Sequence, residues 1–117
     1  MTDINYIRRF EGCEDFELVV STEDTNGYEW ATFDVFYSPS QKRYFWYDGS
    51  GCSCDAPYDG VDSRSSFQDG DYQQALKAVK AVKAAKSSVD SPYTYSEASL
   101  NRAIEALRKK NHEVSKL

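Results

Sequence analysis

The sequence predicts an α+β fold, a three-stranded antiparallel β-meander packed against two C-terminal helices. Three observations carry this expectation. Apolar residues alternate between turn signals over residues 16–47, two capping boxes introduce helical segments after residue 70, and composition changes at the same place.

Residues 1–15 hold Tyr6, Ile7 and Phe10, apolar enough to pack, before a turn-like Glu11-Gly12-Cys13-Glu14-Asp15. The first strand spans Phe16 to Thr22, with Phe16, Leu18 and Val20 on one face. Asn26-Gly27 is a turn signal, because both residues tolerate positive φ. Tyr28 to Tyr37 follows as a second strand. One of its faces carries Ala31, Phe33, Val35 and Tyr37, the other Tyr28, Trp30, Thr32, Asp34 and Phe36. After a turn at Ser38-Pro39-Ser40-Gln41, Lys42 to Tyr47 makes the third strand. Short connections make the three neighbours antiparallel. Residues 48–70 read as a Gly/Ser/Asp-rich loop.

The first long helix starts near Asp71, where Gln74 completes a capping box, and runs to about Lys86. Thr94 with Glu97 marks the start of the second, which continues to roughly Val114. Leu100, Ala103, Ile104, Leu107 and Val114 give it an apolar stripe.

One core is all that 117 residues support, so residues 1–117 form a single domain. No apolar run approaches the ~20 residues that span a bilayer, and the N-terminus lacks a signal-peptide pattern. The net charge of −5 is unevenly placed. Residues 1–71 carry 15 acids against 5 bases, and residues 72–117 carry 4 acids against 9 bases. Of 17 aromatic residues, 15 lie in residues 1–72. An acidic, aromatic sheet and loop thus join a basic helical pair, and overall acidity argues against free nucleic acid as partner. Three cysteines, an odd count, make a poor disulfide framework and point to a reducing cytoplasm.

The densest local signal is Gly51-Cys52-Ser53-Cys54-Asp55-Ala56-Pro57-Tyr58. Together with the strand end Tyr44 to Tyr47 and with Ser65-Ser66-Phe67, it resembles a family of small proteins encoded by phages of actinobacteria. The resemblance covers about residues 44–67. It implies a phage accessory protein working in the bacterial host cytoplasm, and implies no particular activity. The residues themselves predict that Cys52 and Cys54 are free thiols packed beneath a sharp turn, with Gly51 in a conformation costly for other residues. A small metal module built on Cys52, Cys54 and Cys13 is the alternative, although structural zinc usually takes four ligands with wider cysteine spacing. Redox chemistry ranks third.

No catalytic or cofactor motif stands out. His112 lies near a helix C-terminus without a nucleophile-elbow pattern elsewhere. Lys77, Lys80, Lys83 and Lys86 recur every third residue, so they spread around the helix as a solvated face. The carboxylates Glu14, Asp15, Glu17, Glu23, Asp24, Asp55, Asp59, Asp62 and Asp69 read as solvated loop and strand acids. The expectation is therefore a non-enzymatic protein, without cofactor, that binds a bacterial host protein. The metal module and a nucleic-acid binder using the basic helices are the alternatives. Two helices cover only one face of a sheet, and the continuous column Ala31, Phe33, Val35 and Tyr37 is the face expected beneath them. The opposite face, with Trp30 and Phe36, becomes the contact patch, joined by the pair Tyr44 and Trp46 or the pair Phe45 and Tyr47 according to register, and by Asp55, Tyr58 and Asp59 of the loop.

Overall fold

A computed structural model describes residues 2–26, 29–52, 54, 56–88 and 97–116. Its elements in chain order are α1 (Ile4–Ile7), β1 (Glu17–Asn26), β2 (Glu29–Ser38), β3 (Arg43–Cys52), a 3-10 turn (Arg64–Ser66), β4 (Gln68–Gly70), α2 (Tyr72–Ser88) and α3 (Glu97–Val114). The strands lie side by side in sequence order, every neighbouring pair antiparallel. The α+β class and the meander therefore hold, with four strands in place of three. The expected loop at 48–70 gives up its first residues to β3 and its last to β4. Strand β4 lacks any apolar alternation of its own. It forms because Trp46 and Gln68 face each other in the ladder and the indole Nε1–H donates to Gln68 Oε1 at 2.9 Å.

At the start of α2 the capping box is present as read. Gln74 N–H donates to Asp71 Oδ1 at 2.8 Å, and Asp71 N–H donates to Gln74 Oε1 at 2.9 Å. The Thr94 cap lies outside the described residues. Near the end of α2, Lys83 Nζ reaches Asn101 Oδ1 of α3 at 2.8 Å.

Helices α2 and α3 cover the face expected of them. Ala31, Phe33, Val35 and Tyr37 of β2 pack with Ala75, Val79, Leu100, Ala103, Ile104 and Leu107. The β2–β3 register pairs Tyr37 with Tyr44 and Val35 with Trp46, which sends both β3 aromatics into this same core. The interleaved Leu76 and Val82 of α2 are only partly buried, as their drift around the helix requires.

The opposite face is not open. Ile7, Cys13 and Phe16 from the N-terminal segment join Tyr58 and Phe67 from the 56–67 stretch over Phe36 and Phe45, with Ile4, Phe10, Leu18, Tyr47 and Val61 at the margin. The sheet is thus a middle layer between two apolar covers. This overturns the expectation that Phe36 belongs to an exposed patch, because its ring is fully buried and lies 5.6 Å from that of Phe16.

Strand β1 serves both layers. A bulge between Leu18 and Val20 breaks the alternation expected for Phe16, Leu18 and Val20. Leu18 turns toward the second core, while Val19 and Val20 pack against the helices. At the other side of β2, Asp15 ties down the β2–β3 turn. Its carboxylate accepts Ser38 Oγ–H at 3.0 Å and Ser40 N–H at 2.9 Å.

Candidate interaction site

Cys52 and Pro57 lie beside the start of β2, and Trp30 is the residue they meet. Trp30 pairs with Gly51 across the β2–β3 ladder, and its indole Nε1–H donates to the Cys52 carbonyl at 3.0 Å. A Cβ at Gly51 would come within 2.9 Å of the Trp30 ring. Gly51 is therefore needed because the ring lies against its backbone, and its φ is not in the left-handed region, contrary to the reading from sequence.

The second correction concerns the cysteines. Cys52 and Cys54 are joined as a disulfide, with Cα atoms 5.3 Å apart, within the span such bonds cover. The end of β3 brings them together, since Cys52 is its last residue. Neither sulfur is then a thiolate, and Cys13 is fully buried in the second core, where burial and the charge of Glu14 push its thiol up to about 11. The three cysteines do not converge as a ligand set. Among the described residues no group of three or more His, Cys, Asp or Glu is placed to hold a metal ion.

Beside the indole lies a cleft of about 230 Å³ lined by Glu23, Trp30, Ala31, Thr32 and Pro57. Thr32 of this lining also belongs to a buried polar cluster that the sequence does not announce. Asp34 is fully buried in β2, and its carboxylate accepts hydrogens from four hydroxyls. Thr2 Oγ1 donates to Oδ2 at 2.6 Å, Ser21 Oγ to Oδ1 at 2.5 Å, Thr32 Oγ1 to Oδ1 at 3.0 Å, and Tyr58 to Oδ2. A carboxylate offers acceptor sites only, so hydroxyl donors satisfy it without a cation. The signal that could have found it is the alternation placing Asp34 between Thr32 and Phe36 on an inward face.

Tyr58 is held from every side. Its N–H donates to the Tyr47 hydroxyl at 3.1 Å, the two rings stack 4.1 Å apart, and its backbone sits at φ 72°. Such a φ is unfavourable for a tyrosine and persists because these contacts over-determine it. Burial, followed by the nearby Asp34 charge, raises the Tyr58 phenol far above its ordinary value. Pro57 precedes it and forms the cleft wall.

Of the expected contact residues, Trp30 alone among the aromatics keeps a partly open face. Phe36, Tyr44, Trp46 and Tyr58 are buried, Phe36 and Tyr58 within the second core and Tyr44 and Trp46 within the core beneath the helices. Asp59 is exposed, and its carboxylate accepts the Ala56 N–H at 3.1 Å. Asp55 lies outside the described residues. Lys77 and Lys80 are exposed, as is His112 near the end of α3.

A second opening, about 540 Å³, lies at the far end of the sheet between the β2–β3 turn and the end of α3. Glu17, Tyr37, Pro39, Lys42, Lys110, Glu113 and Val114 line it. Lys110 Nζ is 2.7 Å from Glu17 Oε1 and stands 5.5 Å over the Tyr37 ring. Among the described residues no helix is long and apolar enough to cross a membrane.

These features define a four-stranded α+β domain with a tryptophan-walled cleft at one end of its sheet. The chain belongs to the family described as a domain of unknown function (DUF7574), whose model matches residues 9–114. That span takes in the helix-covered core, the Trp30 cleft and the second core apart from Ile4 and Ile7. No curated protein and no solved structure matches the chain.

Proposed function

We propose that this chain is a non-enzymatic binding protein that seats an apolar side chain of a partner protein in the cleft between Trp30 and Pro57. The observation that carries this reading is that Trp30 is half-buried, braced by its bond to the Cys52 carbonyl, and bordered by a formed cleft. A rigid aromatic wall with part of its face open is the usual anchor of an interface. Glu23 in the lining and the exposed Asp59, tied to Ala56 beside Pro57, give the surroundings a negative potential, so the incoming segment carries Lys or Arg beside its apolar residue. The likeness of residues 44–67 to actinobacteriophage proteins supports a bacterial host protein as that partner and the host cytoplasm as the place.

The test compares wild type, Trp30→Ala and Val114→Asp as baits in an actinobacterial lysate. Trp30→Ala should weaken capture of the retained protein by ~2 kcal/mol, about thirtyfold, with an unchanged circular dichroism spectrum. Capture that survives Trp30→Ala and is lost with Val114→Asp would move the site to the far groove and end this reading.

A further inference from the structure

The Cys52–Cys54 disulfide is absorbed neither by the fold nor by the binding reading. A disulfide stabilises by closing a loop in the unfolded chain, and the effect shrinks as the loop shortens. This one encloses a single residue and ties no element to another. Both ends belong to the tip of β3 and its exit, which the ladder to β2 already holds through Glu29 and Cys52. As a staple it does almost nothing.

Its surroundings suit a different use. Cys54 is exposed, whereas Cys52 is half-buried at the strand end with its carbonyl engaged by Trp30. An external thiolate thus has access to one sulfur, and the other is positioned to leave and to return. Exposed disulfides are the labile ones, because exchange needs in-line access to a sulfur atom. The remaining cysteine, Cys13, is sealed in the second core and cannot compete.

We infer that Cys52 and Cys54 form a thiol–disulfide exchange site whose substrate is a dithiol. One donor thiolate attacks Cys54 Sγ, a new S–S bond forms, the Cys52–Cys54 bond breaks, and Cys52 Sγ departs as a thiolate. The donor's second thiolate then attacks the donor sulfur of the mixed disulfide and releases Cys54 Sγ. The donor leaves as its own disulfide, two electrons pass to the cysteines, and the two protons shed by the donor thiols reach the cysteine thiolates through water.

Alkylation with iodoacetamide followed by mass analysis of the folded chain tests this. Without reductant Cys52 and Cys54 should take no label. After mild dithiothreitol both should be labelled to completion, with Cys13 blank until denaturant is added. Given glutathione disulfide, Cys52→Ser should accumulate a stable glutathione adduct on Cys54, and reduced wild type should lose any such adduct as Cys52 closes the ring. The inference is overturned if both cysteines label without reductant, or if the bond resists dithiothreitol until the chain is unfolded. It is equally overturned if wild type retains the adduct as Cys52→Ser does.

Discussion

Tyr58 reaches down from the stretch after β3 to donate its hydroxyl hydrogen to Asp34, 24 residues earlier in the chain and without exposed surface. The bond fastens the outer cover to the middle of β2. Thr2 fastens the N-terminal segment to the same carboxylate, so one acidic side chain holds both pieces of that cover. Tyr58→Phe should cost about 1–3 kcal/mol, the range for a lost bond to a buried polar partner. Asp34→Ala should cost ~3 kcal/mol or more, since it removes the common acceptor of four hydroxyls and leaves the buried Thr32 and Tyr58 hydroxyls without it. Urea denaturation of the two variants checks both values. A cost below 1 kcal/mol for Asp34→Ala would show that the cluster does not hold the cover.

Asp15 predicts a pH dependence. Burial pushes its carboxyl up, but the hydrogen bonds from Ser40 and Ser38 outweigh that and hold it below the ordinary carboxylate range. A folded value below the unfolded one, ~3.9, means that the stabilisation is present in full above pH ~4. It is lost as the pH falls through the lower folded value. Asp15→Asn should therefore melt below wild type at pH 6, and the gap in Tm should close on acidification toward pH 2. A gap that stays constant over this range would show that the charge on Asp15 is not what holds the β2–β3 turn.

Tyr44 predicts a gain. Its hydroxyl is buried beneath the helices with no hydrogen-bond partner among the described residues, and burial, then the neighbouring Tyr37 and Tyr72, push its phenol up to about 12. An unpaired buried hydroxyl costs about 1–3 kcal/mol, so Tyr44→Phe should raise stability by ~1 kcal/mol while keeping the ring contact with Tyr37. Thermal melting measures it, and a lower Tm would contradict the prediction.

What could be read from the sequence was whatever repeats or caps. The stripe Leu100, Ala103, Ile104 and Leu107 announced the buried face of α3, and all four are buried. Asp71 with Gln74 announced the start of α2, and the column Ala31 to Tyr37 announced the face beneath the helices. The second cover escaped because it has no period. Ile7, Cys13, Phe16, Tyr58 and Phe67 are scattered through turns and are assembled only by long-range contact. The expectation of an exposed Phe36 rests on helices as the lid, whereas irregular segments cover it. The bulge at Val19 was equally hidden, since nothing in Leu18-Val19-Val20 marks which residue is the extra one. In the site, Trp30 was legible as an open aromatic, but the reason for Gly51 was not. Close approach of a ring to a backbone is set by the register of two strands, not by local sequence.

The two cores differ in when their parts leave the ribosome. Every buried side chain of the second core, from Ile7 to Phe67, belongs to chain already synthesised before α2 begins. The first core needs Leu107, and its last link, Lys110 to Glu17, joins residues 93 apart. At ordinary elongation rates the stretch between Phe67 and Leu107 takes on the order of seconds to emerge. Through that interval the column Phe33, Val35, Tyr44 and Trp46 lacks α3, and α2 alone is available to lie over it once Ser88 is made. The nascent sheet therefore carries one face whose cover is already made and one that stays adhesive until α3 arrives.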